Sequence, residues 1–459
     1  MKYPRYPSYK SSGVEWLGEV PAHWDVERLK YSATINDEAL PETTDPGFGI
    51  SYVDIGSVDP VKGIVTVEKM VFEDAPSRAR RVVADGDTII STVRTYLKAI
   101  APIQNPAPNT IVSTGFAVVR PRKVRPDYMS YAAREPGFVE AIVARSVGVS
   151  YPAINASQIG TLPIPLPPED EQQTIADFLD AQTTRIDTLI EKKRRLIEKL
   201  EGKRAALISR TVTRGLPPEA AVAAGLDPNP RLKPSGIDWL GDVPEHWSIK
   251  RLKHVKAKTK NAFVDGPFGS NLKSEHFVSD GDVFVIESGF ATRGRINEAA
   301  LKQIELDHFL TIRRSETKGG DIIIAKIGAY FGLNNILPEL TRPAVVSGNS
   351  LKLTVDQSEI LTKFAHYLLL HLKWAKAMDL LVNVTAQPAL SLGGMNTLGI
   401  VVPPLDEQHA IVEYIASESK VLETSLSTIE TAIDRLKELR SSLIESAITG
   451  KIDVRGFAV

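Results

Sequence analysis

Apolar residues fall into two regimes along this 459-residue chain. In the first, short dense runs such as GIVTVEKMVF, DTIISTV and TGFAVVRP, then DVFVIES, DIIIAKIG and LKLTV, are bounded by Gly, Pro and Asp. Runs of this length rich in β-branched residues predict strands. Stretches at 127–145 and 358–382 carry helical spacing between them, so each half of the chain reads as α+β. In the second regime, late in each half, the stripe becomes strictly 4-3. From Ile175 it takes in Leu179, Gln182, Ile186, Leu189, Lys193, Leu196, Leu200, Lys203 and Leu207, seven of ten apolar. From Ile411 it takes in Ile415, Glu418, Leu422, Ser425, Ile429, Ala432, Leu436, Leu439 and Leu443, eight of ten apolar. Apolar a/d occupancy over more than four heptads predicts coiled coil. Each stripe opens after Pro-Pro (Pro167-Pro168, Pro403-Pro404), with Asp170 or Asp406 as expected N-cap, and closes near Gly215 or Gly450. The predicted helices, 170–213 and 406–450, are each roughly 65 Å long at ~1.5 Å per residue. Two amphipathic helices packed on their own domains are the simpler alternative.

The two halves repeat one another. GVEWLGEVPAHWDVERLK at 13–30 returns as GIDWLGDVPEHWSIKRLK at 236–253, with eleven of 18 positions identical and four more exchanging Val with Ile or Glu with Asp. DGDTII (85–90) answers GGDIII (319–324), and SYPAINASQIGTLPIPLPPEDEQ (150–172) answers AQPALSLGGMNTLGIVVPPLDEQ (386–408). The offset drifts only from 223 to 236, the mark of a tandem duplication of domain-sized units. Between landmarks, 31–84 and 254–318 do not align. The expected organisation is a domain over 1–169, a helix over 170–213, a Pro/Gly-rich linker over 214–235, a domain over 236–405 and a helix over 406–450.

Composition narrows the chemistry. The chain is 43% hydrophobic and has a net charge of −1. It has no cysteine, so disulfides and thiolate metal sites are excluded, which fits a reducing compartment. MKYPRYPSYK has no apolar core of a signal peptide, and no apolar run reaches the ~18 residues of a membrane span, so a cytoplasmic protein is expected. GPFGSNLK (266–273) lacks the spacing of a phosphate loop, and no Asn/Asp-Pro-Pro-aromatic signature of amino-methyltransferases occurs. Glu201-x-Lys203 resembles a nuclease fragment, but on a helix i and i+2 diverge. His23 and His246, each before a Trp in the repeated phrase, read as packing residues; no metal-ligand cluster is visible.

What remains is basic. Lys250, Arg251, Lys253, Lys256, Lys258 and Lys260 form one group, Arg78, Arg80, Arg81, Arg94 and Lys98 a second, and Arg120, Arg122, Lys123 and Arg125 a third. Such groups neutralise phosphates and can supply bidentate guanine contacts; any single residue reads as a solvated face, whereas the groups taken together point to DNA. Trp16, Trp24, Trp239 and Trp247 belong to the shared frame and are expected to anchor each domain's entry.

SGVEWLGEVPAHW followed by RLK, DGPFGSNLK, and IPLPPEDEQ leading into a long helix resemble the specificity subunit of a type I restriction–modification enzyme, and the resemblance spans nearly the whole chain. It implies two target-recognition domains joined by two long antiparallel helices, each domain reading one half of a split site in double-stranded DNA. It implies two methyltransferase subunits docked on the helices and motor-nuclease subunits added for cleavage, with S-adenosylmethionine, ATP and Mg in those partners and no cofactor in this chain. The missing catalytic motifs agree with a non-catalytic part. If the paired helices act as a ruler, their length sets the gap between half-sites. GPFGSNLK has no clear counterpart in the first repeat, which has PGFGISYVDIG. The expected DNA contacts are Arg78, Arg80, Arg81, Arg94, Lys98 and Tyr151 in the first domain, and Ser270, Asn271, Lys273, Lys326, Tyr330 and Gln387 in the second. The alternatives are a coiled-coil adaptor that does not act on DNA and an enzyme with an unrecognised site.

Overall fold

The computed structural model describes residues 3–382 and 388–457, except for the side chain of Ser270. Two compact units emerge, one from 1–194 with 430–459, the other from 195–429. The units cross the linear order of the sequence, because each takes part of both long helices.

The first unit holds two four-stranded sheets. One runs Ile100–Pro102, Thr88–Ser91, Phe116–Pro121, Ala33–Ile35, antiparallel throughout. The other runs Glu68–Val71, Gly49–Val53, Thr110–Ser113, Ala79–Val82, with a parallel central pair. The second unit repeats both: Asn334–Ile336, Ile322–Ala325, Ser350–Leu353, Phe263–Asp265, and Lys302–Ile304, Val283–Ile286, Ala344–Val346, Glu316–Thr317, again with a parallel central pair. The segments 31–84 and 254–318, which do not align in sequence, therefore build equivalent strands.

The dense apolar runs are strands buried on both faces. Ile322, Ile323 and Ile324 are all fully buried. Alternation sends Ile322 and Ile324 into a core with Trp247 and Phe364, and Ile323 into one with Phe284 and Ile286.

The repeated phrase and the repeated PP–DEQ segment meet in each unit. Asp25–Arg28 pairs with Pro163–Leu166, and Ser248–Arg251 pairs with Gly399–Val402. Glu171 accepts hydrogen bonds from Tyr6 Oη and pairs with His23 Nε2 at 2.8 Å. Glu407 pairs with His246 Nε2 at 2.8 Å and accepts from Trp247 Nε1 at 3.0 Å. Gln172 accepts from Arg125 N and donates to Pro167 O; Gln408 accepts from Leu361 N and donates to Pro403 O. His, Glu and Gln recur because each closes a polar contact at the helix start; both tryptophans are fully buried, and Trp247 adds such a contact where Trp24 does not.

The long helices span Glu169–Arg214 and Leu405–Ile448. Asp170 and Asp406 thus lie within the first turn, where a carboxylate favours the helix dipole, and are not the caps. Gly215 and Gly450 take the left-handed conformation (φ 81° and 71°) that terminates each helix. Within the first unit Arg440 pairs with Asp187 at 3.1 Å, and within the second Arg204 pairs with Glu423 at 3.0 Å.

The seam departs from the strict 4-3 stripe. Ile175, Leu179, Ile186, Ile411, Ile415, Leu422 and Leu443 are buried, and Leu200, Leu207, Ile429 and Leu436 are half-buried. Leu189, Leu196 and Leu439 are 40%, 45% and 48% exposed, which corrects their assignment to the seam. Thr183 and Ile190 are buried in place of Gln182 and Leu189, and Ile433 in place of Ala432. A helix near 3.6 residues per turn drifts by about 20° per heptad from a 3.5 repeat, so the buried stripe slips by one residue.

The segment 214–235 is not a bare linker. Pro217 and Pro218 open a helix, Pro218–Ala223, a place where proline is tolerated, and Leu232–Pro234 pairs with Asp242–Pro244 as Tyr9–Ser11 does with Glu19–Pro21.

Candidate DNA-recognition surface

In each unit the strand that follows the (D/G)GD landmark ends in a loop held against the SYPAI segment or against Pro388 to Leu390. In the first unit the loop is 92–99. Thr92 N donates to Gly115 O, Arg94 N to Pro152 O at 2.8 Å, and Ile154 N to Thr92 O. The one-turn helix Thr95–Leu97 is flanked by Arg94 and Lys98, both left-handed at φ 51°. The Arg94 guanidinium lies 4.9 Å from the centre of the Tyr151 ring. A cavity of about 570 Å³ opens beside it, lined by Asp54, Ile55, Arg78, Arg94, Gly115 and Tyr151 among others.

Three expected contacts, Arg78, Arg94 and Tyr151, therefore converge on one cavity. Arg78 donates to Asp54 at 2.7 Å and to Tyr52 Oη, partners that raise its pKa further. Lys98, at the far end of the same loop, pairs with Glu140 at 2.7 Å. Arg80 and Arg81 lie on the strand away from this cavity. The Arg80 guanidinium covers the Phe72 ring at 4.5 Å, and Arg81 is half-buried. Neither lines the cavity, so the structure does not bring these two together with Arg78, Arg94 and Tyr151.

The second unit builds the same loop from 326–333. Gly328 N donates to Pro388 O, and Lys326 N to Asn349 O. Gly328 and Gly332, at φ 88° and 85°, stand where the first unit has Arg94 and Lys98. At the matching strand ends a cavity of about 480 Å³ is lined by Gly269, Lys273, Glu287, Lys302, Ser347 and Asn349 among others, and the 326–333 loop does not line it. Tyr330, 66% exposed, occupies the position of Tyr96, 53% exposed. Tyr96, Lys302 and the carboxylates Asp54 and Glu287, which pair with Arg78 and Lys302, were missed by the sequence reading. Extending the DGDTII/GGDIII alignment by six residues would have matched Tyr96 with Tyr330; the carboxylates have no such signal, because they lie in the unaligned fillings.

Lys326 is corrected. It is 6% exposed, its Nζ sits 3.0 Å from Asp265 Oδ2 and 3.7 Å from the centre of the Phe268 ring, and Arg314 completes the ion cluster on Asp265 at 2.9 Å. Its ammonium is spent on Asp265 and on Phe268 of GPFG, so it is a buried ion-pair partner and not an exposed contact. Asn271 is exposed, its carbonyl bound by His308 Nε2 at 3.0 Å, and Lys273 lies 3.6 Å from Glu275. Gln387 and the side chain of Ser270 lie outside the described residues.

The three arginines of the third basic group are spent internally, and its Lys123 is exposed. Arg120 is held bidentate by Asp87 and also reaches Glu38, Arg122 pairs with Asp37, and Arg125 with Asp127. In the lysine-rich group Lys250 pairs with Glu359 and Lys258 lies 4.0 Å from Asp356, while Lys253 and Lys260 are exposed. No group of three or more metal-ligating side chains occurs among the described residues, and no helix among them is long and apolar enough to cross a membrane.

Comparison with known proteins places the chain in a family. The family model described as "Type I restriction modification DNA specificity domain" matches residues 51–199 and 269–433, one stretch in each repeat. The chain belongs to this family. The specificity-domain chain is similar to the type I restriction enzyme MjaVIII specificity subunit of Methanocaldococcus jannaschii, at 24% identity over 316 residues, 68% of this chain and 67% of that one. The MjaIX specificity subunit of the same organism is 23% identical over 460 residues, 95% of each chain. A solved chain from work on "complex assembly and conformational transition of the type I R-M system" shares the fold, with TM-score 0.64 at 22% identity over 94% of this chain and 98% of that one. The specificity-domain chain is thus the DNA sequence-recognition subunit of a type I restriction–modification system and a non-catalytic component. The adaptor reading is set aside.

Proposed function

We propose that the chain reads a bipartite duplex, one half-site per unit, on behalf of methyltransferase subunits that modify the site and motor-nuclease subunits that cut it. S-adenosylmethionine, ATP and Mg then belong to those partners, and the working compartment is the cytoplasm. One observation carries the reading: the same two-sheet unit is built twice, with shared entry and exit segments, around fillings that do not align. A frame common to both and a divergent filling suit two readers of different sequences. The proposed contacts are Arg78, Arg94, Lys98, Tyr96 and Tyr151 in the first unit, and Asn271, Lys273, Lys302 and Tyr330 in the second, with Ser270 and Gln387 retained from the sequence. Two of the paired cations, Arg78 and Lys98, would exchange a carboxylate for a phosphate on binding.

Exchanging 31–149 for the matching part of a relative tests the division of labour. One half-site should change and the other stay. A change in both half-sites would overturn the modular reading.

A further inference from the structure

Seven non-glycine residues among those described have positive φ. Four are asparagine, which tolerates this conformation; the others are Arg94, Lys98 and Lys376. Arg94 and Lys98 stand out because the chain carries its own control. The equivalent loop of the second unit has the same pair of left-handed residues and fills both with glycine, Gly328 and Gly332. The loop demands the conformation, and glycine meets it without steric cost. The first unit nevertheless places an arginine there. Strain of this kind persists where the side chain is needed.

The need is not structural pairing. Arg78, Arg120, Arg122 and Arg125 all rest on carboxylates. Arg94 is exposed and has no carboxylate partner among the described residues; its guanidinium rests only on the face of Tyr151. Its backbone is fixed by the bond from its N–H to Pro152 O. A fork with its donors unspent, oriented by an aromatic ring and set on a rigid turn beside a cavity, matches the O6/N7 pair of guanine.

We propose that Arg94 reads a guanine in the half-site of the first unit, with Tyr151 as the residue that orients its fork. The inference rests on the recognition role and deepens it.

The test uses the full-length chain co-expressed with the modification subunits of its own system, with the recognised motif obtained by sequencing methylated genomic DNA. Arg94→Gly relieves strain, so its thermal unfolding midpoint should stay within about 3 °C of the parent. Discrimination at one G·C pair of one half-site should fall by about 5- to 150-fold, with the other half-site unchanged. Arg94→Lys, which keeps the charge but not the fork, should lose most of that discrimination too. An unaltered motif for Arg94→Gly overturns the inference while leaving the recognition role intact. Uniform loss of modification at all sites by a folded Arg94→Gly overturns it as well, because it would make Arg94 a general affinity contact. A parent system with no motif at all would instead sink the recognition reading on which it rests.

Discussion

Trp24 and Trp247 hold the same place in the repeated phrase and are both fully buried, yet their indole N–H groups differ. Trp247 Nε1 donates to the Glu407 carboxylate at 3.0 Å. Trp24 Nε1 is buried with no hydrogen-bond partner among the described residues, because Tyr6 Oη takes the equivalent carboxylate of Glu171. Replacing each by Phe removes the same ring atoms from a closed core, so that cost is shared and cancels in the comparison. Trp247→Phe also forfeits a hydrogen bond to a charged group, worth about 1.5–3 kcal/mol. Trp24→Phe forfeits none and removes an unsatisfied donor, which returns about 1–3 kcal/mol. Trp247→Phe should therefore destabilise its unit by about 2 kcal/mol or more beyond what Trp24→Phe does to the other. Native-state hydrogen exchange reads the two units separately, through the amides of Asp25–Arg28 and Ser248–Arg251. At about 1.4 kcal/mol per tenfold, the expected difference is at least a tenfold larger rise in exchange for Trp247→Phe. Equal rises, or a larger one for Trp24→Phe, would refute the reasoning that these polar contacts, and not ring packing alone, fix the entry of each unit.

Asp265→Asn should leave Lys326 buried without its counterion, cost about 3–5 kcal/mol, and blur the half-site of the second unit alone; urea unfolding and methylome sequencing check it. Burial holds His366 and His371 down at about 4, from an ordinary 6.5. Only the unfolded chain binds those protons, so the stabilising effect of keeping both rings neutral is present above pH 6.5 and is lost as pH falls toward 4. Exchange from the helix Thr362–Trp374 should accelerate across that window, and His371→Leu should flatten the dependence. Adding one heptad to both long helices, after Leu196 and after Ala432, lengthens each by about 10 Å and should shift the preferred spacer by about three base pairs. An unchanged spacer in a folded, active double insertion would dispose of the helices as a ruler.

The frame was legible because its signals are local and doubled. The strand run of Ile322–Ile324, the helix starts after Pro-Pro and the glycine stops each carry their own physics. The seam was legible in part: a 4-3 count finds Ile175, Leu179, Ile411, Ile415, Leu422 and Leu443 but cannot anticipate the one-residue drift that exposes Leu189 and buries Ile190. Recognition residues were the least legible. A lysine such as Lys326 and an arginine such as Arg94 look alike in sequence, and only the Asp265 carboxylate brought from 61 residues away separates them. Likewise Arg120, Arg122 and Arg125 read as a basic patch until the strands bring Asp87 and Asp37 beside two of them. Strain at Arg94 became visible only against Gly328, once the two loops could be superposed in topology.

Sequencing the methylated bases of the host genome, with and without this gene, tests the central claim most directly. The account predicts one split motif of two different half-sites around a fixed spacer, present with the gene and lost without it. A contiguous motif, two identical half-sites, or a motif that survives deletion of the gene would contradict it.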